Sequence, residues 1–189
     1  MDKIRSGRAL KPKEEIESEF EQIAARSMVF AGLDFEVGGT IFNFPLQKRH
    51  KVVEATFRPD FKLTGVVTPE GELMGATIEG KRVFIEYHGS KYFDDRFVGK
   101  LYAFMQSDHH RDNYLVLAVD KRDTQRIDYA LRGRDLKKED ISDRFWYLDM
   151  WDESGILLPE KQRYAEHIRH LVELKRDLDE MKIAQLIRA

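Results

Sequence analysis

Apolar positions along the first part of the chain recur at helical spacing. Ile16, Phe20, Ile23, Ala24, Ser27 and Ala31 fall mostly three or four residues apart, which predicts a helix over 13–31 that Gly32 stops. The period then changes to two. Alternation predicts strands at 34–37, 41–44 and 51–57, with Gly38-Gly39 turning the chain between the first pair. Pro69, Glu70 and Gly71 mark 65–80 as a hairpin or loop inserted between core strands, and strand resumes from Arg82 to Tyr87. Phe97, Leu101, Phe104 and Met105 give 91–107 a helical period, whereas Tyr114–Val119 is the continuous apolar run of a strand buried on both faces. The order helix, strands, helix, strand predicts an α/β core with a mixed central sheet flanked by helices.

Beyond Asp120 the pattern loosens. Residues 120–155 are charged and irregular around Phe145, Trp146, Tyr147 and Trp151. Pro159 then opens a helix whose pattern runs nearly to Ala189, about 45 Å at 1.5 Å per residue and more than one compact domain covers. Its apolar seam reads Tyr164, Ile168, Leu171, Leu178 and Met181, with Lys175 breaking a strict heptad, so packing across the core and homodimer formation both stay open. The predicted organisation is a flexible basic arm over 1–12, a core over 13–120 and a C-terminal helical extension over 121–189.

Composition narrows the chemistry. The 189 residues suffice for one sizeable core. A net charge of −2 conceals 32 basic and 34 acidic side chains, which excludes a simple polycation. Phosphate contacts would have to come from local groups: the basic arm, Lys48-Arg49-His50-Lys51, or Arg132, Arg134, Lys137 and Lys138. Absence of cysteine removes disulfides and thiolate metal sites, leaving carboxylates and histidines as ligands. No apolar leader or stretch of roughly 20 apolar residues occurs, which predicts a soluble cytoplasmic protein with no membrane partner.

Two carboxylates stand where carboxylates are costly. Asp60 follows Pro59 at the end of an extended run, and Glu86 interrupts Val83-Phe84-Ile85-Glu86-Tyr87, where a buried charge needs pairing, a proton or a metal. Strand parity puts His88 on the face of Glu86, with Val83, Ile85 and Tyr87 on the other. Glu54 shares the parity of Asp60 if that strand is unbroken. The bland alternatives are a Pro-Asp turn, a solvent-facing edge glutamate and a hydrogen-bonded strand-end histidine. His109-His110 reads as a solvated helix end, because adjacent histidines seldom converge on one ion. Trp146, Tyr147 and Trp151 read as core before they read as stacking platforms for bases.

Pro59-Asp60, followed by an apolar-Glu-x-basic-Gly strand at Ile85-Glu86-Tyr87-His88-Gly89, resembles the PD-(D/E)xK nuclease superfamily. Within it the order of motifs is most similar to the phage junction-resolving endonuclease I group and the transposon end-cleaving endonucleases. There a helical Ser-x-x-Glu supplies a third acid, matched here by Ser18-Glu19-Phe20-Glu21, and Asp94-Asp95-Arg96 stands at a similar offset after the glutamate strand. The resemblance spans roughly 15–120. It implies a restriction-endonuclease-like core cleaving DNA with Mg²⁺ or Mn²⁺ held by Asp60, Glu86 and Glu21. The family lysine two residues after the glutamate is His88 here, which would assist the nucleophile, unless Lys81 or Lys91 takes over. A literal Glu-x-Lys occurs at Glu79-Gly80-Lys81, but its glycine suits a turn. The rival expectations are a degenerate module binding nucleic acid or a protein, and an assembly protein using its terminal helix.

Overall fold

The computed structural model describes residues 19–48, 50–88 and 94–178. Helix α1 (Glu19–Phe30) turns Ile23, Ala24, Ala25, Ser27 and Met28 inward. The Ser27 hydroxyl donates to the Ile23 carbonyl at 2.8 Å, which lets a polar residue sit in an apolar face. Positions 13–18 of the predicted helix lie outside the described residues. Gly32, at φ 70°, ends α1 in the left-handed region, and the Lys175 ammonium donates to the Ala31 carbonyl beside it at 2.7 Å.

Among the described residues nine strands follow: β1 (Leu33–Val37), β2 (Phe42–Lys48), β3 (Lys51–Phe57), β4 (Phe61–Val67), β5 (Leu73–Met74), β6 (Thr77–Ile78), β7 (Lys81–His88), β8 (Asn113–Asp120) and β9 (Arg144–Leu148). The main sheet runs β1-β4-β7-β8-β9, with β5 beside β4 and β6 beside β7. The first two pairings are antiparallel, whereas β7-β8 and β8-β9 are parallel and need crossovers. Helix α2 (Asp95–Met105) and the short α3 (Asp108–Arg111) connect β7 to β8, and α4 (Thr124–Arg132) connects β8 to β9. The architecture is therefore α/β, a mixed sheet flanked by helices, with α5 (Glu160–Asp177) at the C-terminal end.

Each sheet face carries its own core. Val83, Ile85 and Tyr87 of β7 join α1 and α5 on one side. Phe84 joins Phe97, Leu101 and Phe104 of α2, together with Ile127 and Leu131 of α4, on the other. The alternation predicted for β7 is thus realised, apolar on both faces until Glu86.

Three stretches of the chain depart from the sequence expectations. Residues 61–67 form a central strand, so the hairpin or loop expected over 65–80 begins inside it: β4 pairs antiparallel with β5 through Val66–Met74 and Val67–Leu73. Gly65 is needed there because a Cβ would lie 2.5 Å from both Leu73 Cδ1 and the Met74 carbonyl oxygen. Next, β2 and β3 pair, among the described residues, only with each other, as a ribbon resting Phe42, Phe44 and Phe57 on α2. Glu54 is exposed on that ribbon, opposite Pro45 and separated from Asp60 by the break after Phe57. Finally, the stretch expected to be irregular holds α4 and β9. Only Ile127, Ala130 and Leu131 of α4 are buried, so its apolar period is short and easily missed.

The C-terminal helix is also rotated from its expected seam. It buries Arg163, His167, His170, Leu171 and Leu174, while Tyr164 and Ile168 stay half-exposed. Arg163 is neutralised by Glu19 at 2.8 Å, His167 stacks on Tyr87 and His170 stacks on Trp146, so polar residues are accommodated on the inward face. Leu178 is extended after the last turn, which limits the described helix to about 27 Å; Met181 lies outside the described residues. Among the described residues no helix is long and apolar enough to cross a membrane.

Candidate functional site

Asp60 and Glu86 are brought together by strand register. Antiparallel β4 and β7 pair Lys62 with Phe84 and Phe61 with Ile85, so the next rung sets Asp60 opposite Glu86. Directly opposed residues hold their Cβ atoms about 5 Å apart. Residues 58–60 form a corner between β3 and β4 that is locked to the end of β1. Gly38 donates its amide to the Asp60 carbonyl at 2.7 Å, and Arg58 Nε donates to the Gly38 carbonyl at 2.5 Å. Pro59 is buried in this corner and fixes its φ. The Asp60 side chain is oriented in turn, because its Oδ2 accepts the Tyr87 amide at 2.7 Å.

Glu86 is buried, and its Oε2 has no hydrogen-bond partner among the described residues. Burial pushes its carboxyl well above the ordinary value of 4.5, and the nearby Asp60 carboxylate pushes it further. Lys100 opposes the shift most strongly, followed by a hydrogen bond from the Asp60 backbone, while Glu21 adds a weaker repulsion. A buried acid and a half-buried one thus face each other. Such a pair is stable with a proton between them or a cation beside them.

Glu21 enters from the first turn of α1, whose Phe20 packs edge-on against Tyr87 with centroids 5.4 Å apart. Ser18 of the helical motif lies outside the described residues. Among the described residues, no group of three or more His, Asp or Glu side chains is placed to hold a metal ion. The side chains as placed therefore form an acid pair, with Glu21 acting on it electrostatically.

His88 projects from the same face as Glu86 and lies flat on Phe97 of α2, centroids 3.8 Å apart and planes 9° apart. One turn along α2 stands Lys100. Its Nζ is 5.7 Å from the centroids of both Phe57, at the end of β3, and Phe97. Sequence reasoning overlooked Lys100, although a signal was present: a lysine immediately before Leu101 and three residues after Phe97 adjoins an apolar helix face. Lys81 begins β7, five residues and about 17 Å of strand from Glu86. Lys91 lies outside the described residues. Glu79-Gly80 forms a turn with both residues at positive φ, 54° and 73°, at that same remote end.

The remaining candidates have other partners. His109 Nε2 meets the Asn43 carbonyl at 2.9 Å and His110 Nε2 meets Asp143 at 2.8 Å, so the two histidines point apart. Asp94 caps α2, accepting the Arg96 and Phe97 amides at 2.9 Å each. Trp146 is buried, and Trp151 lies beneath the Arg122 guanidinium at 3.5 Å while donating to Asp120 at 2.8 Å. Comparison of the chain with protein-family models, with curated proteins and with solved structures finds no match.

Proposed function

We propose that the chain is a Mg²⁺- or Mn²⁺-dependent DNA endonuclease with a restriction-endonuclease-like core of the PD-(D/E)xK type. The observation that carries this reading is the cross-strand pair of Asp60, half-buried, and Glu86, buried, mutually repelling and with one Glu86 oxygen unpartnered among the described residues. Hard divalent cations prefer carboxylate oxygens, so the donor set fits Mg²⁺ or Mn²⁺ in charge and in chemistry. Asp60 and Glu86 would hold the ion, with Glu21 on α1 completing the set or orienting water. A bound cation there would polarise a phosphoryl oxygen and lower the pKa of a bound water. The chain's own part is to fix the two acids: Asp60 through the Tyr87 amide, and Glu86 through the rigid interior of β7.

The β2-β3 ribbon gives this reading a nucleic-acid surface. Seven residues per strand span about 24 Å, and a two-stranded ribbon fits the major groove of duplex DNA. Lys48 and Lys51 are exposed at its tip, and its root leads through Arg58-Pro59 into Asp60. Incubation of plasmid and branched DNA with Mn²⁺ tests the proposal. Native protein should cleave and the Asp60→Ala, Glu86→Ala double variant should not; cleavage that survives the double substitution overturns it.

One observation favours a second reading, a nuclease-fold module that binds without cleaving: His88 occupies the family's lysine position and is stacked on Phe97. Calorimetry with Mn²⁺ separates the two, since a retired site would show no heat dependent on Asp60 and Glu86.

A further inference from the structure

We propose that Lys100 is the cation that contacts the scissile phosphodiester, so that α2 rather than β7 supplies the positive charge of this site. The inference rests on the endonuclease reading above and names the group that reading leaves missing. Phosphodiester hydrolysis adds negative charge to the non-bridging oxygens in the transition state, in a site that already carries two acids. A fixed positive group beside those oxygens would offset that charge in addition to any metal.

Among the described residues the fold brings one suitable group. Phe57 lies three residues before Asp60, and Phe97 covers His88 two residues after Glu86. The Lys100 Nζ, 5.7 Å from each of these rings, lies on the side of β7 that carries Phe84, Glu86 and His88. Its effect on Glu86, opposing protonation, agrees with that position. Three other cations of the described residues are engaged or distant: Lys62 pairs with Glu36 at 3.1 Å, Arg58 donates to Gly38, and Lys81 is at the far end of β7. An ammonium lying over aromatic rings has part of its water shell replaced by carbon, so exchanging its remaining waters for phosphate oxygens costs little. In the reaction a water oxygen bonds to phosphorus while the bond to one sugar oxygen breaks. The proton lost by the water balances the one gained by the leaving oxygen. Lys100 remains protonated throughout and transfers neither.

The test compares native protein with Lys100→Met, which keeps the aliphatic stem on Phe57 and Phe97, and with Lys100→Ala. Plasmid cleavage with Mn²⁺, Mn²⁺ calorimetry and thermal melting are read together. Lys100→Met should melt like native protein and bind Mn²⁺ within about threefold of it, yet cleave about 10²–10³-fold more slowly, the loss typical of removing one transition-state contact. Methylammonium in the buffer should restore part of the Lys100→Ala activity, which a packing role would not produce. Lys100→Met cleaving within about threefold of native overturns the assignment and leaves the endonuclease reading intact. Loss of Mn²⁺ binding in a Lys100→Met protein that melts normally also overturns it, because Lys100 would then act on the acids and not on the phosphate. Native protein that cleaves no DNA with Mn²⁺ overturns both.

Discussion

Replacing Glu86 by glutamine should stabilise the metal-free protein, although it alters a buried residue at the centre of the sheet. Glu86 opposes Asp60 across β4 and β7, and both burial and that neighbour disfavour its charge. Two unit charges about 5 Å apart at an effective dielectric of about 20 repel by about 3 kcal/mol. Lys100 and the Asp60 amide offset part of this, which leaves about 1–2 kcal/mol for the neutral isostere to recover, or about 3–6 °C in melting temperature for a chain of this size. The sign follows from linkage. Glu86 holds its proton more tightly in the folded state, so its contribution is complete below the ordinary 4.5 and is lost as pH rises through its elevated folded-state value. The advantage of Glu86→Gln should therefore grow with pH above 4.5 until Glu86 is fully ionised in the folded protein. Saturating Mn²⁺ should invert the order, because a ligand at 100 times its Kd stabilises native protein by about 2.7 kcal/mol and the variant would lose most of this. Differential scanning calorimetry with chelator and with Mn²⁺ shows both halves. A Glu86→Gln protein that melts below native in chelator, or the absence of a crossover with Mn²⁺, refutes the reasoning.

Three further outcomes are expected. Burial lowers His167 to about 4, so stability should be lost as pH falls from the ordinary 6.5 toward 4, by up to about 3 kcal/mol. A His167→Phe variant, which keeps an aromatic ring against Tyr87, should lose less, as measured by urea unfolding across that window. Gly65→Ala should cost about 1–3 kcal/mol, because the Met74 carbonyl that a Cβ would strike is backbone and cannot swing aside; chemical denaturation checks this. Lys48→Glu with Lys51→Glu should lower the slope of log binding constant against log salt by about 2 for duplex DNA, while Mn²⁺ affinity measured by calorimetry stays native.

What the sequence made legible follows from how far each signal reaches along the chain. Strand β7 was readable because its alternation is local: Val83, Ile85 and Tyr87 take one face and Phe84 and Glu86 the other, as their order requires. Helix α1 and strand β8 were readable for the same reason. Strand β4 was obscured by Gly65, whose need for a bare Cα is set by β5, eight residues further on. The buried face of α5 was misjudged because Arg163, His167 and His170 become tolerable only through Glu19, Tyr87 and Trp146, none of which is near them in sequence.

The candidate site divides in the same way. A glutamate inside an apolar strand is conspicuous by itself, but the rung that pairs it with Asp60 depends on where the chain turns between β3 and β4. That turn also detaches Glu54 from the site and sends the ribbon outward. Lys100 was hidden by a different effect, since a lysine stem covers apolar surface while its ammonium stays polar, so it blends into a helix face already explained by Phe97, Leu101 and Phe104. The motif-based expectation looked for charge two residues after Glu86, along β7. The sheet instead offers positive charge from the helix packed over that strand, so position in space, not offset in sequence, decides which cation the acid pair meets.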